Sequence, residues 1–65
     1  MTRVTLAAAR VNKGYTQAVA AEKLGVNVNT LKNWERGVTF PKQPQIEKLC
    51  EVYEVTYDEL IFFAS

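Results

Sequence analysis

The 65-residue chain contains no histidine and a single cysteine, Cys50. Without histidine it lacks the side chain that most often works as a general base near neutral pH and that completes many zinc sites. One cysteine cannot close an internal disulfide, and a lone thiol fits a reducing, cytoplasmic setting. The longest strongly apolar run is Leu60-Ile61-Phe62-Phe63-Ala64, far short of the ~20 residues of a membrane span. Arg3 near the N-terminus is followed by no long apolar region and no clear cleavage pattern, so neither a membrane span nor a signal peptide is expected. Catalysis has no foothold either. There is no Ser or Cys paired with a base, no clustered carboxylate pair with an obvious site and no phosphate-cradling glycine loop. The expectation is a protein that is not an enzyme and needs no cofactor and no metal.

What is present suits one small globular domain over residues 1–65, with 48% hydrophobic residues. A chain of this size buries only about 60% of its unfolded surface, so stability rests on helix packing, with oligomerisation as an aid. The net charge of +1 hides an uneven distribution. Residues 1–46 carry seven basic and two acidic side chains, and residues 47–65 carry one basic and five acidic. Such an asymmetry belongs either to two solvated faces or to a protein with one side for a polyanion and another kept away from it.

The three glycines and two prolines divide the chain into short helices. The alanine-rich stretch from Thr5 to Asn12 predicts a first helix, stopped at Gly14. Thr16 is a suitable N-cap for a second helix reaching Lys23 or Leu24, and Gly25 ends it. Asn27 caps a third from Val28 to Arg36, and Gly37 ends that one. Pro44 fits the first turn of a fourth helix with Ile46, Leu49, Cys50 and Tyr53 at the i, i+3, i+4, i+7 spacing of one face. Thr56-Tyr57-Asp58-Glu59 has the T-x-x-E form of a capping box, which predicts a short fifth helix carrying Leu60, Ile61 and Phe63. The sequence-based fold is therefore all-α, with five helices.

The third helix holds two interleaved sets of residues. Leu31 and Trp34, three apart, share a face with Leu24 and Val26 behind them. Ala20 and Ala21 are small enough to let the third helix cross the second closely. Val28, Asn29, Lys32, Asn33 and Arg36 are left pointing outward. Asparagine is poorer than alanine inside a helix by roughly 0.5 kcal/mol, yet Asn29 and Asn33 stand four apart on the outer face. Asparagine pairs bidentately with adenine, lysine donates to guanine, and valine touches a thymine methyl, each good polar pair discriminating by about 1–3 kcal/mol. That gain exceeds the propensity loss. Cys50, on the apolar face of the fourth helix, reads as a core thiol.

The run TQAVAAEKLGVNVNTLKNWERG at residues 16–37, with Pro41, IEKLCEVYEVTYDEL at 46–60 and AAR before Gly14, resembles the Cro and lambda-repressor type of helix-turn-helix protein, the XRE family. The resemblance implies a lambda-repressor-like fold of five helices whose second and third form the helix-turn-helix. It implies base contacts from Val28, Asn29, Lys32 and Asn33 of the recognition helix. Gln17 matches the family's phosphate contact, and Thr30, Arg36, Thr39, Lys42 and Gln43 are candidate phosphate contacts, with Lys42 or Gln43 near the minor groove. Arg10 and Glu35 match a structural ion pair between the first and third helices. Ala20 departs from the family, where leucine is frequent; Trp34 or Tyr15 would fill the space.

Relatives of this type dimerise through the C-terminal end, where Tyr57, Leu60, Ile61, Phe62 and Phe63 crowd together. The resemblance thus implies a homodimer on a palindromic double-stranded DNA operator, with recognition helices about 34 Å apart, acting in the bacterial cytoplasm, at the nucleoid, as a phage- or mobile-element-type repressor. An antitoxin held to a toxin by the apolar end, or a protein-interaction adaptor on the same fold, are the alternatives.

Overall fold

The computed structural model describes residues 3–62. Four α-helices make up most of it: α1 (Leu6–Asn12), α2 (Gln17–Leu24), α3 (Val28–Arg36) and α4 (Gln43–Tyr53). Local chemistry sets their ends. Oγ1 of Thr5 accepts from the Ala8 amide, Oγ1 of Thr16 from the Val19 amide, and Oδ1 of Asn27 from the Asn29 amide, at 3.1, 3.1 and 2.8 Å. Each satisfies one of the donors that the first turn of a helix leaves free. At the other ends of α2 and α3, Gly25 (φ 73°) and Gly37 (φ 76°) take the left-handed conformation that stops a helix. Pro44 occupies the first turn of α4, where no intrahelical donor is missed.

The predicted fifth helix is replaced by something shorter. Glu59 does reach back to the Thr56 amide at 2.8 Å, as a capping box requires. The turn it starts is a single 3₁₀ turn, Tyr57–Glu59, and the chain then extends. Strand β2 (Leu60–Ile61) pairs in parallel with β1 (Val4–Thr5), in the register Val4 to Leu60 and Thr5 to Ile61. The physical reason lies in the apolar run. Consecutive Leu, Ile and Phe on an α-helix would spread around its circumference, whereas an extended chain alternates them. Leu60 is buried, Ile61 is half-buried outside the core, and Phe62 packs against the core. Among the described residues the domain is thus mostly helical, with four α-helices and a two-stranded closure.

The core comprises Leu6, Ala9, Ala20, Ala21, Leu24, Leu31, Trp34, Leu49, Tyr53 and Leu60. Ala20 is fully buried, and the indole of Trp34 lies in the same cluster, 3% exposed. A small residue on α2 facing a large one on α3 is the interlocking that close-packed interiors require. Tyr15 is half-buried at the edge of this cluster. Cys50 is also only half-buried, and burial raises its thiol pKa.

Candidate nucleic-acid interface

Helix α3 divides its side chains by phase. Leu31 and Trp34 face inward, fully buried or nearly so. Asn29, Lys32 and Arg36 are exposed, and Asn33 is half-buried beside them. The positions 29, 32, 33 and 36 follow the i, i+3, i+4, i+7 spacing of a single stripe. An amide, an ammonium, a second amide and a guanidinium thus share one outer surface. No acidic residue interrupts the stripe, because Glu35 turns away from it. Val28 differs from the outward orientation expected of it. It opens the helix, is half-buried and packs against the core, so only part of its side chain is available to a ligand.

The order of α3 is fixed by what surrounds it. Arg10 on α1 donates from Nε to Glu35 Oε2 at 2.8 Å and from Nη2 to Oε1 at 3.4 Å. Its Nη1 donates to the Tyr15 carbonyl at 2.9 Å. The two charged side chains are 14% and 7% exposed, so the forked pair is shielded from screening and each partner depends on the other. Gln17, at the first position of α2, donates from Nε2 to Glu35 Oε1 at 3.0 Å. Glu35 therefore ties the last turn of α1 and the first residue of α2 to α3, and orients Gln17. This contact to Gln17 is not visible in the sequence, since residues 17 and 35 lie on different helices.

The remaining candidate phosphate contacts are spread around this stripe. Thr30 is half-buried on α3. Thr39 is exposed in the loop after Gly37, and its amide and that of Val38 both donate to the Asn33 carbonyl, which draws the loop under the end of α3. Lys42 is the N-cap of α4 and Gln43 its first residue; both are exposed. The Lys42 amide donates to Gln45 Oε1 at 2.7 Å. At α2, the Thr16 hydroxyl accepts from Val19, while first-turn amides such as those of Gln17 and Ala18 have no partner within the helix. They lie at the positive end of the helix dipole.

The residues expected at the C-terminal surface do not all belong there. Leu60 is 3% exposed and part of the core, which removes its side chain from any surface. Tyr57 is exposed, and Ile61 and Phe62 are half-buried; Phe63 lies outside the described residues. The acidic side chains Glu51, Glu54 and Asp58 are exposed on this end of the chain. Glu54, the left-handed cap of α4 (φ 57°), pairs with Lys13 across to the end of α1. That hydrogen bond lowers the Glu54 pKa and raises that of Lys13. Among the described residues no group of His, Cys, Asp and Glu could hold a metal ion, and no helix is long and apolar enough to cross a membrane.

Comparison with known proteins agrees with this geometry. A helix-turn-helix family model matches residues 6–60. The chain is 43% identical over 53 residues to the HTH-type transcriptional regulator ImmR of Bacillus subtilis (strain 168), covering 82% of this chain and 42% of that protein. It is 40% identical over 48 residues to YazB of the same organism, an uncharacterized HTH-type transcriptional regulator, covering 74% of this chain and 70% of that one. The chain therefore spans less than half the length of ImmR. No solved structure matches it. With α2 and α3 forming the motif and the match running from Leu6 to Leu60, the chain belongs to the XRE-type helix-turn-helix family of transcriptional regulators.

Proposed function

We propose that this domain binds a double-stranded DNA operator in a sequence-specific way and regulates transcription, as a repressor of the phage- or mobile-element type. The observation that carries this reading is the outer stripe of α3, where Asn29, Lys32, Asn33 and Arg36 line one surface free of acidic groups. In the major groove, Asn29 and Asn33 have the donor and acceptor pair that matches adenine, and Lys32 donates to guanine. The exposed part of Val28 meets a thymine methyl. Gln17, held by Glu35, and the first-turn amides of α2 approach a phosphate, as do Thr30, Arg36, Thr39, Lys42 and Gln43. Both relatives carry the name of transcriptional regulators.

The operator is palindromic and the bound form is a homodimer. The domain is 30 Å in its longest dimension, and successive major grooves on one face of the duplex are about 34 Å apart. One copy reads one groove; two copies side by side read two. A bound dimer acts by occupying the operator and blocking or recruiting polymerase. Selection of bound sequences from random duplex DNA at low salt tests the reading. An enriched half-site repeated with two-fold symmetry is expected, and no enrichment rejects it.

A further inference from the structure

In the outer stripe of α3 only Asn29 and Asn33 carry a side-chain acceptor. Lys32 and Arg36 donate and cannot accept. Among the described residues neither carboxamide has a hydrogen-bond partner, whereas Asn27, just before the helix, uses its oxygen on the Asn29 amide. The two asparagines differ in freedom. Asn29 lies in the first turn and is exposed. Asn33 is half-buried, and its carbonyl accepts from the Val38 amide at 2.9 Å and from the Thr39 amide at 3.4 Å. The loop after α3 is thereby tied to Asn33, which leaves its side chain little room to retreat from a ligand.

We propose that methylation of adenine N6 in the operator controls binding, and that Asn33 is the side chain that senses it. The proposal rests on the DNA reading above and adds a regulation of that same surface. In the major groove adenine offers N7 as an acceptor and N6 as a donor, and a carboxamide answers both. Of the two N6 hydrogens, one pairs with thymine and the other faces the groove. A methyl group on N6 of a paired adenine takes the place of the second. Oδ1 of Asn33 then meets a methyl carbon instead of an N–H, and the carboxamide is pushed away from N7 as well. A shielded polar group left without its partner loses more than the bond itself was worth. Lys32 donates to guanine and is indifferent to this change. Asn29 sits at the exposed end and can shift, so a methyl group on its adenine weakens binding less.

Titration of the full chain against duplexes carrying the selected half-site, with each adenine replaced in turn by N6-methyladenine, tests this. In the wild type one position should lose about 10- to 100-fold in affinity, a second position less, and adenines flanking the half-site nothing. Asn33→Ala should bind the methylated and the plain duplex within about twofold at the first position, while the second keeps its response. Alanine is a better helix former than asparagine, so the variant keeps its fold. An adenine analogue with carbon in place of N7 should weaken the wild type at the first position and leave Asn33→Ala unmoved. A wild type that binds every methylated duplex as tightly as the plain one overturns the proposal. So does an Asn33→Ala variant that keeps the full methyl penalty, since the methyl group then acts through DNA shape or another side chain. A selected half-site that contains no adenine overturns it too. If no duplex is bound, the plain ones included, the DNA reading itself fails and this proposal falls with it.

Discussion

Helices α2 and α3 meet through residues close in sequence, with Gly25 between them, whereas β1 and β2 join residues at opposite ends, Val4 opposite Leu60. The two regions bury side chains into the same core, yet they are stabilised differently. In α2–α3 every end has a local cause: Thr16, Gly25, Asn27 and Gly37 each cap a helix with their own atoms or backbone conformation. The terminal closure has only two residue pairs of ladder, and an isolated two-stranded pairing of that length is not stable by itself. It persists because Leu60 and Val4 carry it onto the helices. The two halves therefore present different surfaces. The locally determined half presents a fixed stripe of polar side chains, and the nonlocal half leaves a strand edge open.

Breaking each half in turn separates these roles. Trp34→Ala should have the largest effect, about 3–5 kcal/mol. A chain of this size has roughly 3–10 kcal/mol in total, so urea unfolding should show a protein unfolded or nearly so at 25 °C. Leu60→Ala strikes the closure and should cost about 2–4 kcal/mol, while the neighbouring Ile61→Ala costs under about 1 kcal/mol. Equal losses at the two positions would mean that the alternation in β2 is not what holds it. Arg10→Ala leaves Glu35 shielded with only Gln17 as a partner and should cost about 2–3 kcal/mol. Replacing both, Arg10→Met with Glu35→Leu, should recover most of that in the same urea titration.

The smallest expected change at neutral pH is at Tyr53, on the α4 side of the core. Its hydroxyl is buried without a hydrogen-bond partner. Tyr53→Phe should therefore be neutral or stabilising by up to about 1 kcal/mol. Burial, with the Glu35 carboxylate adding to it and Arg10 opposing, raises the Tyr53 pKa from its ordinary 10.0 to about 12. The unfolded chain ionises first, so the stability linked to this group is complete below pH 10.0 and is lost as pH rises to about 12. Melting temperatures taken across that window should fall for the wild type and fall less for Tyr53→Phe.

Much of the helical half was legible because its signals are short-range. The caps at Thr16 and Asn27, the glycine stops and the 3.6-residue spacing of Leu31 and Trp34 can be read within a few positions. The stripe of Asn29, Lys32 and Arg36 is the complement of that spacing, so it was legible too. Val28 is only partly outward, because a residue opening a helix lies near the preceding connection and packs against the core, which the helical period does not register. The fifth helix failed for a different reason. The Thr56–Glu59 box specifies how a turn begins, and nothing local says whether it continues. That is decided by Val4, which no periodicity connects to Leu60. The contact from Gln17 to Glu35 and the pairing of Lys13 with Glu54 are likewise products of helices meeting.

On the proposed function, the outer stripe of α3 reads bases while the groups around it hold the backbone. Binding of Asn33→Ala to the selected site and to each of its single-base variants tests this most directly. Discrimination should collapse at one base pair, by about 1–3 kcal/mol, and stay intact elsewhere. Lys42→Ala, as a phosphate contact, should weaken all sequences alike and reduce the salt slope by about one. An Asn33→Ala variant that loses affinity uniformly across every sequence, or loses none, would contradict it.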